Sequence, residues 1–139
     1  MDISNDAISN LREAAKLGAS HAYAPYSKFP VGAAVLTADG KIYSGSNVEN
    51  ASFGLTVCAE RNAIFNAVAS GSREVVAVVV YTPSKTPTTP CGACRQVIRE
   101  FGTQVRIICL ADTDVVVDTA INDLLPHSFG PDNLRHDRE

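Results

Sequence analysis

The constraint that most limits how this chain can fold is set by two short segments, Cys58-Ala59-Glu60-Arg61 and Pro90-Cys91-Gly92-Ala93-Cys94. Three soft sulfur ligands suit a divalent ion such as zinc, and to share one ion the two segments must converge on a single point. Four cysteines could instead pair as two disulfides. A Cys-x-x-Cys preceded by proline, with a third cysteine beside a glutamate, reads better as a metal site. A structural zinc wants four protein ligands, and the remaining candidates, His21, His127, His136 and Cys109, have no motif-like spacing. Cys109 reads as a small core residue. Three ligands with a vacant fourth position describe a catalytic metal that keeps a water.

The local sequence supports that chemistry. Cys91 and Cys94 fall at i, i+3 where a helix is expected to begin after Pro90, so both sulfurs can occupy one face of its first turn. Cys58 likewise stands where the preceding helix starts. The partial positive charge of two helix N-termini then favours the thiolate form. Three thiolates on a dication leave a net negative site and a weaker Lewis acid, which gains from a base within reach and from a cation that draws charge off the sulfurs. Glu60 is the expected base and Arg61 the expected cation, hydrogen-bonded to one or more sulfurs.

With 139 residues, 45% of them hydrophobic and 19% charged, the chain is expected to form one domain, residues 1–139, with a real core. No run reaches the roughly 18 apolar residues of a membrane span, and the polar, acidic N-terminus does not read as a signal sequence. A cytoplasmic location is expected. A net charge of -3 argues against a nucleic-acid footprint and favours a small-molecule substrate.

Periodicity gives the architecture. Ser4 reads as an N-cap with Ile3 and Ile8 as a hydrophobic staple, opening a first helix of about five turns that ends before Pro25. Val31 to Thr37, apolar on both faces, and Lys41 to Asn47 flank Asp39-Gly40 as a hairpin. A helix from Cys58 stops at Gly71; Val75 to Tyr81 is a doubly covered strand; Pro83 to Pro90 is a loop. A further helical face with Cys94, Val97, Ile98 and Phe101 closes at Gly102. It precedes strands at Val105 to Ala111 and Val115 to Asp118, whose short link makes them antiparallel. The expected fold is α/β: a three-layer α/β/α sandwich around a five-stranded mixed sheet. Residues 127–139 are expected to form an extended C-terminal tail.

Cys-Ala-Glu followed by Pro-Cys-x-x-Cys is the signature of zinc deaminases. Together with Tyr26-Ser27-Lys28-Phe29-Pro30-Val31-Gly32-Ala33-Ala34, Asn47-Val48-Glu49-Asn50-Ala51, Arg95-Gln96 and Leu124-Leu125-Pro126-His127-Ser128-Phe129-Gly130-Pro131, it makes essentially the whole chain resemble the small homotetrameric cytidine deaminases. The resemblance implies hydrolytic deamination of cytidine and 2'-deoxycytidine to the uridines, with release of ammonia, in pyrimidine salvage. It implies one zinc per subunit on Cys58, Cys91 and Cys94, and Glu60 as proton shuttle. It further implies Phe29 against the pyrimidine, Asn47 and Glu49 on the ribose hydroxyl, the backbone of Ala59 on the base and the carbonyl of Thr89 on the departing amino group. Phe129 would enter a neighbouring subunit's pocket, hence a homotetramer. Phe53 departs from the tyrosine that relatives often carry, so a phenolic hydrogen bond at the subunit contact is expected to be lost and its ring contact kept. Two rivals stand beside this reading: a deaminase for another cytosine-bearing compound, and a non-catalytic module stabilised by zinc.

Overall fold

The computed structural model describes residues 2–135. Ser4 caps the first helix, α1 (Asn5–Ser20), by accepting from the Ala7 amide at 3.1 Å. α1 ends at Ser20, short of the five turns expected, because the chain turns at His21 toward an isolated bridge between Tyr23 and Val48. The hairpin follows as β1 (Gly32–Thr37) and β2 (Ile42–Ser46), and Gly40 adopts φ +83° at its turn, a conformation that favours glycine. Next come α2 (Ala59–Ala69), β3 (Val75–Tyr81), α3 (Gly92–Glu100), β4 (Arg106–Leu110) and β5 (Val117–Ala120). A final short helix, α4 (Ile121–Leu124), follows β5 directly.

Larger differences from the sequence reading lie toward the C-terminus. β5 starts at Val117 rather than Val115, since Val115 and Val116 are exposed and the register with β4 begins at Val117. Pro131–Leu134 forms a 3-10 turn inside the segment expected to be an extended tail. The rest of that expectation, residues 136–139 with His136, lies outside the described residues.

The five strands make one mixed sheet in the order β2-β1-β3-β4-β5. Only β3 and β4 run parallel, joined through α3, and the last two strands are antiparallel as expected. Side chains of alternate parity serve two helical sides. Ala34, Leu36, Ala77, Val79, Ile108 and Leu110 share a core with Leu11 and Ala15 of α1. Their neighbours Ala33, Val35, Val78, Val80, Ile107 and Cys109 share the other with Ala59, Ala63, Ile64 and Ala67 of α2 and Ile98 of α3. This double burial explains the continuous apolar runs of β1 and β3.

Close approach of backbones sets where α2 sits. A Cβ on Gly45 would collide with the Ala63 amide and stand 2.6 Å from the Ala59 carbonyl oxygen, so α2 can press on β2 only because that position is glycine. Ala59 and Ala63 continue the same small-residue contact, fully buried. The start of α2, with Cys58 and Glu60, is therefore registered against the hairpin by backbone contact. Gly45→Ala is expected to destabilise the fold by about 1–3 kcal/mol, read as a lowered midpoint in chemical denaturation.

Candidate active site

Cys58 is the N-cap residue of α2 and Cys91 that of α3, both with extended backbone and neither with its side chain spent on capping. Cys94 lies one turn into α3, buried. α3 follows β3, so its N-terminus stands at the carboxyl end of the parallel pair, where open α/β sheets form their clefts. The structure brings the three sulfurs within 4.8 Å of one another, with Cys58 to Cys91 at 4.0 Å and Cys91 to Cys94 at 3.5 Å. A tetrahedral ion with zinc–sulfur bonds of about 2.3 Å requires sulfur pairs roughly 3.8 Å apart, so these separations fit. All four cysteines are free, which removes the disulfide alternative. Cys109 is in the core and its thiol is pushed up to about 12 by burial.

Electrostatics agree with the geometry. The Cys58 thiol falls to about 5, because Cys94 hydrogen-bonds to its sulfur and Arg61 stands beside it. Cys94, in turn, is held well above an ordinary thiol by the same partner. Arg61 donates from Nη2 to Cys58 Sγ at 3.5 Å, the contact expected of it, while its buried Nε has no hydrogen-bond partner among the described residues. Glu60 is 5% exposed, and burial raises its carboxyl to about 7, so it can hold or release a proton near neutrality.

Cys58 and Cys91 open into a cavity of about 260 Å³ whose wall also includes Phe29, Asn47, Glu49, Ala59, Glu60 and Thr89. A second concavity of about 340 Å³ adjoins it, sharing Ser27, Glu49 and Thr56 and extending to Tyr26 and Phe53. Asn47 and Glu49 lie just past β2, and both engage the loop that carries Phe29. Asn47 Nδ2 donates to the Phe29 carbonyl and its Oδ1 accepts from the Val31 amide, each at 2.9 Å. Glu49 Oε1 accepts from the Tyr26 and Ser27 amides at 2.9 and 3.1 Å, and Oε2 from the Ser27 hydroxyl. The Ser27 bond holds the Glu49 carboxyl below the usual carboxylate range.

Phe129 is absent from the wall of its own chain's cavity: its ring is 57% exposed and its carbonyl accepts from Gln96 Nε2 at 2.8 Å. Phe53, 74% exposed, makes an edge-on contact with Tyr26 of its own chain at 5.7 Å between ring centroids. Sequence reasoning assigned nothing to Ser27, Thr56 or Arg95. Ser27 lies in the Tyr26–Ala34 segment, but only the fold reveals that its hydroxyl meets Glu49 twenty-two residues away.

Such a donor set predicts thiol behaviour directly. With zinc bound, the native protein should show almost no reaction with a thiol reagent. After chelation Cys58 and Cys91 should react, the buried Cys94 more slowly, and Cys109 only after unfolding, as peptide mapping of the labelled protein would record.

Comparison with known proteins matches residues 6–111 to the cytidine and deoxycytidylate deaminase zinc-binding region. A cytidine deaminase of Halalkalibacterium halodurans is 46% identical over 81% of this chain and 86% of its own length. One of Sporosarcina psychrophila is 42% identical over 95% and 98% respectively. The crystal structure of a Burkholderia pseudomallei cytidine deaminase superposes with a TM-score of 0.84 at 45% identity, covering 91% of this chain and all of that one. With three sulfurs fit to hold zinc and likeness along nearly its whole length, the chain belongs to the cytidine deaminases, hydrolases of the zinc-binding deaminase family.

Proposed function

We propose that the protein deaminates both cytidine and 2'-deoxycytidine, in pyrimidine salvage in the cytoplasm, as a homotetramer of single-domain subunits with a three-layer α/β/α fold. The observation that carries the catalytic reading is a buried carboxyl, Glu60, poised near neutrality beside three sulfurs and facing a cavity bordered by Asn47 and Glu49.

Cys58, Cys91 and Cys94 hold the zinc, which when bound acts as a Lewis acid and lowers the pKa of a coordinated water. Glu60 accepts a proton from the attacking water and delivers it to N3 of the base, which makes C4 electrophilic. It then takes the proton of the hydroxyl that the water has left on C4 and gives it to the departing amino group, so that water and cytidine become uridine and ammonia. The Thr89 carbonyl accepts a hydrogen bond from that leaving group, and the Ala59 backbone fixes the base edge. Phe29 packs on the pyrimidine. Asn47 and Glu49 keep free acceptor and donor capacity after bonding the Phe29 loop, enough for a ribose hydroxyl. Arg61 draws charge off the sulfurs, so the site stays less negative than three thiolates would make it.

The tetramer reading is supported by apolar rings and chains left on the surface. Tyr26, Phe53, Leu55, Phe65 and Phe129 are all close to half exposed or more, and Tyr26 and Phe53 pack edge-on as one apolar patch of the kind that marks interaction sites. No helix among the described residues is long and apolar enough to cross a membrane.

The reading is tested by following loss of the cytosine chromophore with purified protein. Cytidine and deoxycytidine should turn over, whereas cytosine and cytidine monophosphate should not; a response confined to the last two overturns the nucleoside assignment. Glu60→Ala should lower kcat by roughly 100-fold or more while metal analysis still finds zinc, and near-normal turnover would refute its role. Phe129→Ala should raise KM for cytidine if the ring completes a neighbour's pocket; unchanged kinetics would place that ring elsewhere.

A further inference from the structure

Residues 83–90 cross from β3 to α3 without regular secondary structure, and Thr88, Thr89 and Cys91 border the sulfur cavity. The first half of this crossing is tied to the loop after β4. The Asp112 amide donates to the Ser84 carbonyl at 2.8 Å, and the Thr113 hydroxyl to the Lys85 carbonyl at 2.7 Å. The second half, 87–90, receives its hydrogen bonds from one side chain among the described residues. Arg95 donates from Nε to the Pro90 carbonyl at 2.7 Å and from Nη2 to the Thr89 hydroxyl at 3.2 Å.

The third arm of the same guanidinium, Nη1, donates to the Leu124 carbonyl at 2.9 Å, at the end of α4 where a helix leaves carbonyls without backbone partners. From Leu124 the chain runs to Phe129, and α3 holds it twice more. Arg99 Nε donates to the Ser128 hydroxyl at 3.1 Å, and Gln96 Nε2 to the Phe129 carbonyl. Arg95 touches no sulfur in these contacts; it binds what surrounds them. Its planar fork of donors is suited to fix three oxygens from separate segments at once.

We propose that Arg95 is a positioning residue of the deamination. It sets the 88–90 wall against the helix that supplies Cys91 and Cys94, and it locks both to the C-terminal segment carrying Phe129. The inference rests on the deaminase reading and adds to it a residue outside the metal ligands and the proton shuttle. A wall segment held by one fork drifts when the fork is lost, and small displacements of groups that orient a reacting centre reduce turnover more than ground-state binding. Because Pro90 directly precedes Cys91, the same drift loosens the metal.

The test compares Arg95→Gln, Arg95→Lys and Thr89→Val with the parent protein, using kcat and KM per bound zinc, the rate of zinc release to a chromophoric chelator, and thermal unfolding. Arg95→Gln should lower kcat by roughly tenfold or more with KM little changed and release zinc faster by a similar factor. Arg95→Lys, which keeps the charge but not the fork, should recover only part of both, and Thr89→Val should give a smaller loss of kcat alone. Turnover per zinc and release rate equal to the parent's, whatever happens to thermal stability, would reduce Arg95 to an ordinary structural tie. Full recovery in Arg95→Lys would also overturn the proposal. If Arg95→Gln does not fold, the other two variants decide it. A parent protein inert toward cytidine overturns the deaminase reading instead, and the zinc-release comparison still judges Arg95.

Discussion

Two helices of this protein begin on cysteine, and nearly everything at the site depends on how those two starts are brought face to face. Three sulfurs within 4.8 Å of one another cannot all be thiolates without a compensating cation. The protein supplies part of that compensation permanently, through the N-termini of α2 and α3 and through Arg61 on Cys58. The remainder is left for a dication. The opposed shifts of Cys58 and Cys94 have the same origin, since one sulfur ionises readily only while its neighbour keeps a proton.

What brings the two helix starts together is the sheet beneath them. α2 and α3 pack on one side of β1, β3 and β4, with Ala59, Ala63 and Ile98 fully buried in a shared core. Gly45 lets α2 approach the hairpin at backbone distance, which fixes Cys58 along its axis. Burial of the α2 start then has a chemical consequence. The same packing that hides Ala59 and Ala63 removes Glu60 from water and lifts its carboxyl toward neutrality. Core packing and acid–base chemistry here are consequences of one contact.

The sheet and helices were legible where the pattern was local. The Asp39-Gly40 turn, the doubly apolar runs of β1 and β3, and the Ser4 cap could all be read because each depends on neighbours a few residues away. α4 could not, being four residues long and without a period to detect. β5 was misplaced by two residues because Val115 and Val116 look like strand interior yet lie exposed. At the site, the convergence of Cys58, Cys91 and Cys94 followed from residue type and spacing. The loop clamps did not. Ser27 on Glu49, Asn47 on Phe29 and Arg95 on Leu124 join residues 18 to 29 positions apart, and no local pattern announces such a meeting.

The central claim is that three sulfurs of this chain hold one zinc and leave a position for solvent. X-ray absorption at the zinc edge, on protein loaded with one metal per chain, addresses it without reference to any substrate. The account predicts three sulfur neighbours at about 2.3 Å and a single light neighbour at about 2.0 Å. A shell of four sulfurs, or imidazole scattering in place of solvent, would contradict it.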